Sequence, residues 1–144
     1  DRRFSIRLTA PKVVVDDYAH HPTEINAVAD ALEAFYPNQI KLGVFQPHLF
    51  SRTRDFVTGF KKALARFDEV LLLDIYPARE LPMEGVTSAL LVDESHAAMQ
   101  LVDKQILSEM IAKSAATVVA IMGAGDIAFE VPAVIQTLKN QQYA

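Results

Sequence analysis

Short apolar runs that are rich in β-branched residues recur along the chain, and polar residues follow each of them. The runs cover residues 12–16, 40–45, 70–74 and 117–122. Strands with apolar side chains at nearly every position are typical of parallel sheets that are covered on both faces. Segments with a helical period separate the runs, so we predict an α/β fold with a doubly wound, mostly parallel, Rossmann-like sheet.

The segments around these runs supply the remaining elements. Residues 4–8 alternate apolar and polar side chains, which predicts an N-terminal, antiparallel edge strand. Asp55 and Asp103 are candidate helix caps. The spacing of apolar residues predicts helices at 23–36, 56–67 and 131–140, and another after Asp103. A short helix within 87–95 and a short strand at 98–102 are also predicted. Polar loops are expected at 46–54 and 76–86.

Composition excludes several classes of protein. The 144 residues suit one ordinary domain, and 51% hydrophobic residues with a mean hydropathy of +0.14 rule out a disordered chain. A formal charge of −4 argues against a nucleic-acid partner, and the absence of cysteine excludes disulfides and thiolate chemistry. No apolar run approaches the roughly 20 residues of a membrane span. We expect a cytoplasmic protein with no membrane partner, and the start at Asp1 suggests a piece of a longer protein.

Four polar segments follow the predicted parallel strands. They are residues 16–21, 46–54, 74–79 and 123–126. The carboxyl ends of parallel strands share one edge of the sheet, and ligands of open α/β folds bind there. Such loops are polar in many proteins without a ligand, but four of them with unusual side chains at one edge favour a binding or catalytic site.

Two of these segments allow more than one interpretation. Gly123 and Gly125 follow a strand and permit close approach of an anion, but the third glycine of the dinucleotide fingerprint is absent and a tight turn is equally consistent. His20, His21 and His48, with the neighbouring aspartates, match no zinc spacing. We therefore predict hydrogen-bonding or substrate-orienting histidines and no metal site.

The arginines also carry two interpretations. Arg52 and Arg54 can form bidentate contacts with a carboxylate or a phosphate, or they can belong to a solvated basic loop that pairs with Asp55. Arg2 and Arg3 precede the edge strand, and the same two interpretations, a ligand contact or a solvated basic segment, apply to them. Their position suggests a domain junction.

Several ordered motifs together resemble the C-terminal domain of the Mur ligases, and the resemblance covers essentially the whole chain. They are DDYAHHPTE at 16–24, FQPH at 45–48, SRTRD at 51–55, YPA at 76–78 and GAGDI at 123–127. The resemblance implies an ATP-dependent amide ligase of bacterial peptidoglycan synthesis. Within the family, the pattern is most like members that activate UDP-N-acetylmuramic acid as an acyl phosphate, which the amine of L-alanine then attacks.

The resemblance also implies a three-domain enzyme of which residues 1–144 form the C-terminal domain. The chain has no Gly-x-x-x-x-Gly-Lys-Ser/Thr loop. The phosphate loop and the ligands of Mg²⁺ are therefore expected in a central domain, the UDP-sugar site is expected in an N-terminal domain, and this chain alone should not catalyse.

Residue by residue, the resemblance assigns a nucleotide side and an amino-acid side. Asp17 looks like the acid that binds the ATP ribose and Arg3 like the arginine that reaches the phosphates, with Gly123 and Gly125 as further nucleotide contacts. The residues expected around L-alanine are Tyr18, His20, His48, Arg52 and Arg54, of which His20, His48 and Arg52 are the candidate catalytic residues. Many relatives carry arginine at the position of Leu49, so a second carboxylate contact there is in doubt, and Arg54 is a candidate substitute.

Three alternatives compete with this hypothesis. A ligase that recycles murein peptides shares the DxxHHP-type motif, although its second loop differs from QPH and SRTR. A phospho-receiver domain would explain acidic residues after two strands, but such domains need a lysine that ends the last strand, and this chain has Met-Gly-Ala-Gly at that place, residues 122–125. An isolated nucleotide-binding or scaffold module without chemistry is the third.

Overall fold

Six strands form one sheet in the order β1-β2-β6-β3-β4-β5. This computed structural model describes residues 2–142. The strands are β1 (Ser5–Leu8), β2 (Val13–Asp17), β3 (Lys41–Phe45), β4 (Glu69–Leu72), β5 (Met99–Leu101) and β6 (Val118–Met122). All neighbouring pairs are parallel except β1 and β2, which are antiparallel. The predicted class and the predicted antiparallel edge strand are therefore confirmed.

Helices cover both faces of the sheet. They are α1 (Pro22–Phe35), α2 (Phe50–Asp55), α3 (Val57–Leu64), α4 (Leu107–Lys113) and α5 (Val131–Gln142), with short 3₁₀ turns at Ser88–Leu91, Lys104–Ile106 and Asp126–Glu130. None of the helices in residues 2–142 combines the length and apolar character that crossing a membrane requires.

Alternation along the strands divides the core into two layers. Val15 packs with α1 and α3 on one face, whereas its neighbour Val14 packs with α4 and α5 on the other. Successive side chains of a strand point to opposite faces, so a strand that is apolar at every position must have cover on both sides. The chain provides that cover by running α1 and α3 on one face and returning through α4 and α5 on the other.

Most predicted elements agree with the structure, but the segment 46–54 does not. We predicted a polar loop there, and the structure contains α2, a helix of six residues. One and a half turns are too short to show a periodic apolar face. The predicted cap at Asp55 is also wrong, because Asp55 ends α2 and Phe56, which makes no side-chain cap, precedes α3. Asp103 does cap, since its carboxylate accepts from the Gln105 amide at 2.8 Å.

The remaining differences lie in short or terminal segments. Only Ser88–Leu91 of the helix expected within 87–95 is helical, as a single 3₁₀ turn. The helix expected at 56–67 ends at Leu64. Boundaries of this kind depend on the tertiary contacts that complete a last turn.

Parallel register places the four polar segments at one edge. Asp17 pairs with Met122, and Met122 pairs with Phe45 on its other side. Backbone hydrogen bonds continue beyond the strands, from Gly123 N to Asp17 O at 3.2 Å and from Leu73 N to Phe45 O at 3.0 Å. The corners after β2, β3, β4 and β6 therefore meet on a common rim, as predicted.

A candidate ligand site at the carboxyl edge of the sheet

A row of aromatic rings crosses this rim from the corner after β2 to the corner after β4. Tyr18 meets His20 edge-on with ring centroids 5.3 Å apart, His20 lies 6.0 Å from His48, and His48 stacks on Tyr76 at 5.4 Å. The row joins residues from three separate loops. Sequence reasoning placed Tyr18, His20 and His48 near one another, but Tyr76 entered only as part of a motif.

His20 is held in a defined orientation. Its Nδ1 donates to the Tyr18 carbonyl at 2.9 Å, and its amide donates to Glu24 Oε1 at 3.0 Å. A carbonyl only accepts, so in the neutral ring Nε2 is the nitrogen with a lone pair. The neighbouring His21 has a structural role instead, because its Nδ1 caps α1 by accepting from the Thr23 amide at 3.3 Å.

The loop that carries His48 is attached to Tyr76 by main-chain bonds on both sides. Tyr76 N donates to Pro47 O at 2.8 Å, and Leu49 N donates to Tyr76 O at 2.9 Å. Leu49 adopts a φ of +73°, which is uncommon for a residue with a branched side chain. Such a conformation costs about 1 kcal/mol or more and persists only where the surroundings impose it. The orientation of His48 is thus imposed by tertiary contacts.

Two buried side-chain nitrogens at this site lack a hydrogen-bond partner within residues 2–142. They are His48 Nδ1 and Arg52 Nη1. Buried polar atoms are almost always hydrogen-bonded in folded proteins, so these two call for a water or a ligand. Arg52 lies on α2, one turn beyond Leu49, and its positive charge acts on His48. The structure therefore presents one guanidinium nitrogen and one imidazole nitrogen with free hydrogen-bonding capacity, on two side chains that interact electrostatically.

Electrostatics keep His48 in its neutral form. Burial lowers the pKa of His48 below its ordinary value of 6.5, the charges of Arg52 and His20 lower it further, and Glu80 opposes them. The imidazole is therefore mostly neutral near pH 7 and can accept a proton.

Arg54 points elsewhere. Its Nε donates to Asp55 Oδ1 at 2.8 Å, and 53% of its side chain is exposed. This is the pairing that the solvated-loop alternative describes, and the substrate contact assigned to Arg54 stays a prediction.

Arg3 and Asp17 line one cavity of about 280 Å³ between the N-terminal segment and α1. The other lining residues are Phe4, Thr23, Glu24, Ala27, Val28 and Ala31. The Asp17 carboxylate accepts from the amides of Phe4 and Ala19, both at 2.8 Å. These bonds hold the corner after β2, and the remaining lone pairs of the carboxylate can accept from a ligand hydroxyl.

Gly123 and Gly125 lie on the other side of the rim, beside Gln46 and Tyr76. A Cβ on Gly125 would stand 2.5 Å from Tyr76 Cγ and 2.7 Å from Gln46 Oε1. Gly123 has a φ of +155°, and a Cβ there would meet Ile127 Cγ2 at 2.7 Å. Close packing of the protein against itself explains both glycines, which is the tight-turn interpretation. The nucleotide contact assigned to them stays a prediction.

Gln46 is a residue whose importance the sequence did not show. Its Nε2 donates to Asp126 Oδ1 at 2.6 Å, and its Oε1 accepts from the Ile127 amide at 3.0 Å. Lys104 Nζ lies 2.8 Å from the other Asp126 oxygen. Burial alone would raise the pKa of the Asp126 carboxyl, but the bonds from Gln46 and Lys104 outweigh burial and hold the pKa below its ordinary value. This network fixes the corner after β6 to the corner after β3.

Arg2 braces the aromatic row from the N-terminal side. Its Nε donates to the buried Asp16 carboxylate at 3.0 Å, and its guanidinium lies over the Tyr18 ring at 5.6 Å from the centroid. Within residues 2–142, no three His, Asp or Glu side chains form a group that could hold a metal ion.

Several known proteins resemble this chain over most of its length. The family described as "Mur ligase, glutamate ligase domain" matches residues 2–128. The UDP-N-acetylmuramate–L-alanine ligase of Flavobacterium psychrophilum is 58% identical over 88% of this chain and 29% of its own length. The enzyme of that name from Christiangramia forsetii is 55% identical over 97% of this chain and 31% of its own length. The chain therefore spans about 30% of these relatives.

Solved structures show the same fold. The UDP-N-acetylmuramate-alanine ligase of Thermotoga maritima superposes with a TM-score of 0.76 at 28% identity, covering 99% of this chain and 30% of that one. A murein peptide ligase from Psychrobacter arcticus also gives 0.76, at 17% identity over 97% of this chain and 30% of its own, which shows the fold alone. On the match over residues 2–128, the chain belongs to the Mur ligase family, as its glutamate ligase domain.

Proposed function

We propose that the chain is the C-terminal domain of a UDP-N-acetylmuramate–L-alanine ligase and that its rim binds L-alanine and part of ATP. The observation that carries the proposal is the pair of unsatisfied nitrogens, His48 Nδ1 and Arg52 Nη1, at the edge where the family motifs converge. The 55–58% identity to ligases of that name supports the choice of amino acid. Such an enzyme works in the cytoplasm, where its nucleotide substrates are found.

The amino-acid side follows from charge and geometry. A guanidinium can hold the carboxylate of L-alanine through two parallel bonds, and this fixes the direction of its amine. The amine attacks the acyl carbon of the UDP-N-acetylmuramic acid acyl phosphate, an N–C bond forms, phosphate leaves, and the nitrogen loses a proton. Neutral His48, assisted by the oriented His20, is the group available to accept that proton.

Arg52 has a second role in this proposal. Negative charge develops on the departing phosphate, and a guanidinium beside it stabilises that charge. Tyr18 closes the row next to His20 and supplies a hydroxyl and an apolar wall. Leu49 is uncharged, so position 49 supplies no second arginine for the carboxylate of L-alanine. In this proposal Arg52 makes that contact.

The nucleotide side lies in the cavity of Arg3 and Asp17. We propose that the Asp17 carboxylate accepts from a ribose hydroxyl and that Arg3, which is exposed at the cavity mouth, contacts the phosphates. The apolar side chains of α1 that line the cavity suit a sugar or base. We assign the phosphate loop and the ligands of Mg²⁺ to the central domain of the complete enzyme, because the sequence contains no Gly-x-x-x-x-Gly-Lys-Ser/Thr motif.

The family match removes the phospho-receiver alternative, because it assigns the acidic corners to a Mur ligase domain. The murein-peptide alternative differs only in the incoming group, a whole peptide instead of one amino acid. The scaffold alternative differs in having no turnover at all.

Phosphate release by the complete protein tests the proposal. We expect ATP, Mg²⁺ and UDP-N-acetylmuramic acid to give phosphate only when L-alanine is added, with an isolated chain of residues 1–144 as the inactive control. Turnover with L-alanyl-γ-D-glutamyl-diaminopimelate instead of L-alanine would establish the recycling ligase. No turnover with either would overturn the ligase proposal.

A further inference from the structure

The helix that carries Arg52 begins without a cap of its own. Leu49 occupies the N-cap position of α2 and offers no side-chain acceptor. The first amides of a helix need acceptors, which Ser, Thr, Asp or Asn normally supply from the N-cap position. Here Glu80, which lies 29 residues beyond Ser51, supplies them: Ser51 N donates to Glu80 Oε1 at 3.0 Å.

Glu80 holds Ser51 through both carboxylate oxygens. The Ser51 hydroxyl donates to Glu80 Oε2. Hydrogen bonds from the Ser51 side chain and backbone lower the pKa of the Glu80 carboxyl below its ordinary value, so it is ionised near neutral pH. A negative charge at a helix N-terminus is favourable. Glu80 is therefore a charged cap for α2 that is delivered from another loop.

The loop that delivers Glu80 is the one that carries Tyr76. The Glu80 amide donates to Pro77 O at 2.9 Å, which closes a turn directly after Tyr76. Residues 76–80 thus hold residues 47–51 at three points: Tyr76 bonds Pro47 and Leu49, and Glu80 bonds Ser51. These contacts flank Leu49, the residue with positive φ that lies between His48 and Arg52 in the chain.

We propose that Glu80 is a positioning residue for the amino-acid site: by capping α2 it fixes Arg52 beside His48 while leaving the guanidinium free for substrate. The inference rests on the proposed function of that site. Glu80 bonds Ser51 rather than Arg52, so it orders the helix without occupying the group that binds the carboxylate.

The test compares Glu80→Gln with Glu84→Gln in the complete enzyme. Glu84 is exposed on the same loop, so it controls for the loss of one negative charge. Glutamine keeps the size of Glu80 but weakens charge-assisted bonds, so we expect the Michaelis constant for L-alanine to rise about tenfold. The Michaelis constants for ATP and the UDP-sugar should stay within about twofold of the wild type, since the initial binding of neither is assigned to α2. The role of Arg52 toward the departing phosphate belongs to the transition state and would change kcat instead.

A pH profile separates positioning from general stability. Four groups from three elements act on His48. They are Arg52 on α2, His20 at the corner after β2, and Glu80 and the Tyr76 ring in the loop after β4. The charge of Arg52 lowers the pKa of His48 more than the charge of Glu80 raises it. If Glu80→Gln displaces Arg52, the acid limb of kcat/KM for L-alanine should therefore move to higher pH, and it should not move in Glu84→Gln. A shift to lower pH in Glu80→Gln would show that only the charge of Glu80 acts on His48 and would contradict the positioning role.

A double-mutant cycle with Ser51→Ala completes the experiment. The two substitutions remove the same contact, so their effects on the L-alanine constant should be less than additive. Equal constants in Glu80→Gln and Glu84→Gln would overturn the proposal, as would a parallel loss for all three substrates. If phosphate release by the wild-type enzyme did not depend on L-alanine, that result would overturn the proposed function instead. The role of Glu80 at the amino-acid site would then be overturned as well.

Discussion

Gly125→Ala tests whether the rim is packed as tightly as the structure indicates. The backbone of Gly125 has a φ of −95°, which is outside the positive range that favours glycine. The added methyl group, however, would stand 2.5 Å from Tyr76 Cγ, 2.7 Å from Gln46 Oε1 and 2.8 Å from Tyr76 Cβ. We therefore expect the clash with Tyr76 and Gln46 to dominate the cost of the substitution.

The magnitude follows from which atoms must move. Carbon atoms pack at about 3.5–4.0 Å, so Tyr76 has to shift by roughly 1 Å at the base of its side chain, where rotation about χ2 gives no relief. Gln46 cannot yield easily, because both ends of its amide are hydrogen-bonded. Overpacking of this kind costs about 1–3 kcal/mol, and we expect the upper end of that range. Because Tyr76 stacks on His48, the L-alanine site should weaken as well.

Urea unfolding of the 144-residue chain measures the effect, with Gly85→Ala as the matched control. Gly85 has a φ of +77°, and no atom of residues 2–142 lies within 4 Å of its Cβ position, so that substitution carries backbone strain of about 1 kcal/mol without a clash among them. We expect Gly125→Ala to lose clearly more stability than Gly85→Ala. Equal stability of Gly125→Ala and the wild type would show that the corner after β6 is loosely packed and would refute the reasoning.

Three further substitutions test the assigned residues. Arg52→Ala in the complete enzyme should raise the Michaelis constant for L-alanine about tenfold or more. Arg79→Ala, at an exposed position, is the control. An unchanged constant in Arg52→Ala would remove Arg52 from the amino-acid site. Asp17→Asn should weaken ATP binding in titration calorimetry and also lower stability, because an amide nitrogen would face backbone donors; normal ATP affinity would contradict the ribose contact. Asp126→Asn should destabilise the chain at neutral pH. The pKa of Asp126 is held low, so its stabilisation is present above a pH of about 4 and is lost as pH falls through the folded-state pKa. The gap to wild type should therefore close in acid, and a gap that widens would be contrary evidence.

Local patterns were sufficient wherever a segment was long or repeated its chemistry. The apolar runs predicted β2, β3, β4 and β6, and a helical period predicted α1 and α5 to within a few residues. Local patterns did not predict α2. Its residues are mostly polar, it spans less than two turns, and its cap comes from Glu80. No window of sequence around Ser51 contains that information.

The candidate site divides in the same way. His20, His48 and Arg52 could be named from the chain because they belong to motifs at strand ends, and parallel strands bring their ends to one edge. Tyr76, Gln46 and Glu80 could not be ranked, since their roles depend on contacts across 28 to 81 residues of chain. Examples are the bonds between Gln46 and Ile127 and between Ser51 and Glu80, for which the separations are 81 and 29 residues.

The sequence by itself determined the architecture and the edge at which chemistry is expected, because hydrophobic period and strand direction are local properties that add up to a sheet. Only the tertiary structure decided which polar atoms there are already satisfied and which are free. A buried nitrogen is available to a ligand only if nothing else in the fold reaches it. For Arg52 and His48 that depends on Glu80 and Tyr76, which the fold brings beside them from the loop after β4.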